Sequence, residues 1–72
     1  MLEKEEFALR LKAIRDKKNL SMVRLSELSG VSADTIKRLE RGVQNATAIT
    51  ISKLSKALEC DTEYFYDKNY TE

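Results

Sequence analysis

The sequence holds two glycines, Gly30 and Gly42, and between them lie Asp34, Thr35, Lys37, Arg38, Glu40 and Arg41. These side chains offer hydrogen bonds and charge, and they form no catalytic set. The 72-residue chain has no histidine and one cysteine, and neither a Gly-rich phosphate loop nor a zinc-ligand spacing appears. Acid pairs such as Glu5 and Glu6 read as solvated helix faces. The expected chemistry is therefore recognition and not turnover, with no metal and no cofactor.

These residues need a helix to hold them. Ser32 is placed to cap one, because its hydroxyl accepts from a backbone N–H one turn further on. Gly42 stands where a left-handed residue stops a helix. Val31, Ile36 and Leu39 then turn towards a core, since i, i+3 neighbours share a face, and Asp34, Lys37, Arg38 and Arg41 point outward or sideways. So short a helix is marginal in water, and the rest of the chain must support it.

The remaining pattern supplies that support. Phe7, Leu11, Ile14 and the stem of Lys18 form one stripe of a first helix at about 4–18, with Glu3, Glu5 and Glu6 suiting its N-terminal dipole. Ser21 caps a second at about 22–29, with Leu25 and Leu28 apolar and Met22, Arg24 and Glu27 more exposed. The third is at about 33–41. Thr47 caps a fourth at about 48–59, striped by Ile51, Leu54 and Leu58, and Asp61 caps a fifth at about 62–66 around Phe65. Strand-type alternation is missing, so the fold class is all-α: one small domain of five helices, with its core at about 7–66 and an acidic, frayed tail at 67–72. The second and third helices, joined by a tight turn containing Gly30, match a helix-turn-helix.

Net charge is only +1, but it is unevenly spread. From Arg10 to Arg41 nine basic residues face four acidic ones, whereas residues 61–72 carry four acids against Lys68. A basic middle and an acidic end are informative where the total is not. A single cysteine, Cys60, cannot form an internal disulfide and reads as a small core filler. Together with the lack of a signal-like or membrane-spanning apolar run, it points to a reducing cytoplasm and no membrane.

Ile14-Arg15, Leu20-Ser21, Leu25-Ser26, Gly30-Val31-Ser32, Ile36, Leu39-Glu40-Arg41-Gly42, Thr47, Leu54, Ala57-Leu58 and Phe65 together resemble the lambda-repressor/Cro-like (XRE-type) helix-turn-helix family. The likeness spans roughly residues 7–66. It implies a compact five-helix domain with its third helix in the major groove of double-stranded DNA, and an ion pair between Arg15 and Glu40. Arginine suits such a pair through its planar, bidentate fork. Three kinds of departure stand out. Met22 occupies the slot where the family carries a phosphate-binding glutamine. Ser26 and Ser55 replace alanines, tolerable if their hydroxyls reach backbone carbonyls. Ala46 replaces a proline.

With the third helix in a major groove, the expected base contacts are Ala33, Asp34, Thr35, Lys37 and Arg38. Lysine and arginine donate to guanine O6 and N7, aspartate accepts from cytosine N4, and the methyls of Ala33 and Thr35 meet thymine. Expected phosphate contacts are Ser21, Arg24, Ser32, Arg41, Gln44, Asn45 and Thr47, with Lys17 and Lys18 as weaker candidates. The function implied is a sequence-specific transcriptional regulator of repressor type, a homodimer on a palindromic operator, pairing through Ile49, Tyr64 and Tyr66. The alternative is a protein-interaction module, such as an antitoxin, that binds a protein partner through residues 64–70 with DNA secondary.

Overall fold

The computed structural model describes residues 2–70. Four α-helices follow in order: α1 (Lys4–Lys17), α2 (Met22–Ser29), α3 (Ala33–Glu40) and α4 (Ala48–Leu58), and a 3-10 turn, Thr62–Phe65, closes the fold. The expected fifth helix is therefore four residues of 3-10 geometry. Asp61 caps it by accepting from Glu63 N–H, and Tyr66 N–H closes it on Glu63 O. A single turn carries too few i→i+4 bonds to settle as α.

The starts of α2, α3 and α4 each follow from one hydroxyl, whereas Glu3 before α1 makes no side-chain cap bond. Ser21 Oγ accepts from Arg24 N–H at 3.0 Å, Ser32 Oγ from Thr35 N–H at 3.1 Å and Thr47 Oγ1 from Thr50 N–H at 3.2 Å. The stops need left-handed backbone. Gly30 (φ 78°) ends α2 and Gly42 (φ 72°) follows the end of α3. A Cβ at either glycine would meet no tight contact, so conformation and not space selects glycine there. Glu59 (φ 55°) does the same work at the end of α4 with a side chain attached.

α1 packs on α3, α2 packs on both α3 and α4, and the 3-10 turn rests on α1 and α4. Leu11, Leu25, Ile36, Leu39, Ile51, Leu54, Leu58 and Phe65 are fully buried between them. Phe7 stacks on Phe65 with ring centroids 5.0 Å apart. Leu2 and Ala8 join this core. Ala8 lies beside Gly42, where α1 meets the end of α3.

Three placements differ from the periodicity. Leu28 is 47% exposed, whereas Met22 is half-buried against the core, because the inward face of α2 runs through Met22, Leu25 and Ser29. Ser55 is buried at 2% exposure and its hydroxyl has no hydrogen-bond partner, so the expected bond to a backbone carbonyl is not made. The segment after Phe65 is docked rather than frayed. The Arg10 guanidinium donates to the carbonyls of Tyr64 (2.8 Å), Asp67 (2.6 Å) and Lys68 (2.7 Å). Thr71 and Glu72 of the acidic tail lie outside the described residues.

Candidate nucleic-acid interface

The pose of α3 is set from below by one arginine. Arg15 Nε and Nη2 donate to the two carboxylate oxygens of Glu40 at 2.6 and 2.9 Å, and Nη1 donates to Leu20 O at 2.7 Å. Side-chain exposure is 11% for Arg15 and 3% for Glu40, so both charges are largely removed from water. Hydrogen bonding to Glu40 raises the Arg15 pKa further above arginine's high ordinary value, against the opposing effect of burial. Leu20 precedes the α2 cap Ser21, and Glu40 precedes Arg41. One guanidinium thus fixes the start of α2 relative to the end of α3, and with them two of the expected phosphate-binding residues.

Above this anchor, Ile36 and Leu39 hold α3 to the core and Asp34, Lys37, Arg38 and Arg41 stand exposed on its other side. Ala33 and Thr35 are half-buried. The Thr35 hydroxyl is taken up by Ser32, whose Oγ donates to it at 2.8 Å. Arg38 is not a free cation. Its Nη1 donates to Asp34, one turn back, and its Nε donates to Gln44 Oε1 at 2.8 Å. Sequence reasoning assigned these three residues separate tasks, and the fold joins them.

The other candidates are spread around this face. Ser21 and Thr47 are exposed at the starts of α2 and α4, and Asn45 is exposed in the loop before α4. Arg24 is exposed and donates to Glu27 at 3.2 Å. Ile49, in the first turn of α4, is 69% exposed, and the other two pairing candidates lie beyond the opposite end of that helix. Tyr64 and Tyr66 are half-buried against the chain's own core. The Tyr64 hydroxyl donates to Arg10 O at 3.0 Å, and its ring lies edge-on to Phe65 and Tyr70 and beneath the Arg10 guanidinium. The apolar surface available at that end is smaller than the tyrosine count implies. Arg10, which no motif in the sequence marks, is a structural residue here, and its Nε also donates to Glu6 Oε2 at 3.3 Å.

Among the described residues no metal-ligating cluster occurs, and no described helix is long and apolar enough to cross a membrane.

A family model for helix-turn-helix domains matches residues 11–65. The chain belongs to the XRE-type helix-turn-helix family of transcriptional regulators. It is 37% identical over 70 residues to the HTH-type transcriptional repressor RghR of Bacillus subtilis, covering 94% of this chain and 52% of that protein. It superposes on an HTH_3 family transcriptional regulator of Vibrio cholerae with a TM-score of 0.86 and 30% identity, over 93% of this chain and 38% of that one. The restriction-modification controller protein C.AhdI of Aeromonas hydrophila gives a TM-score of 0.83 at 32% identity, over 86% of this chain and 94% of that one. The chain thus spans about half or less of the length of the curated relatives it matches. Within this helix-turn-helix family member, Arg10, Asp67 and Lys68 all lie outside the matched span. The clamp on the last residues therefore joins two flanks of the family core.

Proposed function

We propose that this chain is a sequence-specific DNA-binding regulator of transcription that acts as a homodimer on a palindromic operator, with α3 in the major groove. The observation that carries this reading is the division of α3. Ile36 and Leu39 are buried, while Lys37 and Arg38 stand exposed on a helix whose pose a buried Arg15–Glu40 pair fixes. A major groove about 12 Å wide admits one such helix. Arg38 and Lys37 meet guanine, and Ala33 and the Thr35 methyl meet thymine. Ser21, Arg24, Ser32, Arg41, Asn45 and Thr47 meet phosphates on either side. The role is binding and not catalysis, and exposed Ile49 and half-buried Tyr66 contribute to the pairing surface.

The affinity of such a protein falls with salt, because each neutralised phosphate releases counterions at a slope of about 0.9 per contact on B-DNA. Fluorescence anisotropy on a generic duplex from 50 to 200 mM salt tests this. A slope of several units on a log–log plot is expected, and no binding at the lowest salt would rule out DNA as the partner.

A further inference from the structure

Arg38 is held from two sides. Asp34 lies one helical turn before it, and Gln44 reaches back from the loop that follows α3. A guanidinium has five N–H donors in one rigid plane. Two are occupied here, Nε–H and one N–H of Nη1, so two bonds on one rigid group restrict its orientation. Nη1 retains one N–H and Nη2 retains both. A bidentate contact to guanine O6 and N7 needs such a pair of donors in a set direction.

The charges point the same way. A phosphate anchor works best as an uncompensated cation. Arg38 beside the Asp34 carboxylate is compensated, which weakens it on phosphate and costs far less against a neutral base edge. A carboxylate left alone on this face would repel the duplex, and pairing with Arg38 removes most of that penalty. The neighbouring Lys37 has no such partner among the described ion pairs.

We propose that Asp34 and Gln44 are positioning residues for Arg38, which aim its guanidinium at one guanine, and that neither contacts DNA as its main task. This rests on the DNA-reading role above and changes the part played by Gln44 from phosphate contact to specificity determinant.

The test begins with sequences selected from a random duplex pool by the full chain, followed by affinity on all four base pairs at the position that Arg38→Ala makes indifferent. Gln44→Ala is expected to reduce the preference there by about fivefold, the worth of one hydrogen bond, with the salt slope unchanged. Gln44→Glu keeps an acceptor for Nε and is expected to retain the preference, although an added negative charge would be harmful at a phosphate. Combining Arg38→Ala with Gln44→Ala should cost no more preference than Arg38→Ala alone. A uniform loss of affinity on every sequence would overturn the proposal, because it marks Gln44 as a phosphate contact, one that as a neutral amide leaves the salt slope unchanged. Retained preference in Gln44→Ala would overturn it while leaving the DNA-reading role intact; failure of the pool to yield any selected sequence would overturn both. In the free chain, NMR should show slower exchange of the Arg38 Nε–H than of the Arg24 Nε–H, abolished in Gln44→Ala. Equal exchange before substitution would also overturn it.

Discussion

Glu40→Ala isolates what holds α3 in place. The substitution removes both acceptors on which Arg15 closes its fork and leaves a guanidinium that is 11% exposed. Breaking a buried pair on one side costs about 3–5 kcal/mol. The lower end applies here, because Arg15 keeps its bond to Leu20 O and lies 3.6 Å from the Asp16 carboxylate. A chain of this size has only about 3–5 kcal/mol of net stability to lose. At roughly 4–8 °C per kcal/mol for a domain of this length, a loss of about 3 kcal/mol lowers Tm by about 12 °C or more. Thermal unfolding followed by circular dichroism reads the shift directly. The double variant Arg15→Met with Glu40→Met removes both charges and keeps apolar volume, so it should recover most of the loss, since matched apolar replacements of buried pairs are near neutral or stabilising. Its DNA affinity should nevertheless stay low, because α2 and α3 are no longer tied through one fork. If Glu40→Ala melts within about 2 °C of the parent, well below the shift expected for a broken buried pair, the pair contributes nothing and the proposed anchor of α3 is wrong. The guanidinium's own share is insensitive to pH in any ordinary buffer. Its folded pKa is raised, so the contribution is complete below the unfolded value and is lost only in strong alkali as pH passes the folded value.

Three further substitutions probe other parts of the fold and face. Ser55→Ala should raise stability by about 1 kcal/mol, since it removes a buried hydroxyl that has no partner and inserts the best helix former; chemical denaturation midpoints would detect it, and a destabilised variant would mean the hydroxyl has an acceptor in solution. Arg10→Ala should free the last residues, lowering Tm and exposing the amides after Phe65 to rapid hydrogen exchange, because three carbonyls lose their donor at once; unchanged protection there would contradict the docked end. Arg38→Ala should cost about 1–3 kcal/mol of operator affinity and blur preference at one base pair. Equal weakening on all duplexes would mark Arg38 as a phosphate contact.

Much of this architecture could be read from local chemistry. Ser21, Ser32, Thr47 and Asp61 each cap the element they precede, because a cap is decided by the cap residue and the three that follow it. Gly30 and Gly42 punctuate for an equally local reason. The last element was misjudged because a cap and an aromatic anchor announce a start, but only the number of following residues decides between α and 3-10. Leu28 and Met22 exchanged places because an eight-residue helix is rotated by its neighbours and not by its own stripe. Ala8 is buried for a reason that lies in Gly42, 34 positions away in the sequence. The bonds of Arg10 to the carbonyls of residues 64, 67 and 68 leave no trace in side-chain types, because backbone carbonyls are the acceptors. The joining of Arg38 to Gln44 across the α3–α4 loop is hidden for a related reason. Both residue types suit DNA, and nothing local says that they suit each other first.

The central claim is that α3 reads a duplex as one half of a symmetric pair. Selection of bound sequences from a random duplex pool, by the full chain at about 0.15 M salt, tests it most directly. The expected product is an inverted repeat with half-site centres about 10–10.5 base pairs, or a multiple of that, apart, and with a guanine in each half that Arg38→Ala renders indifferent. A pool that emerges without enrichment, or enriched for a motif that Arg38→Ala and Lys37→Ala leave unchanged, would contradict it.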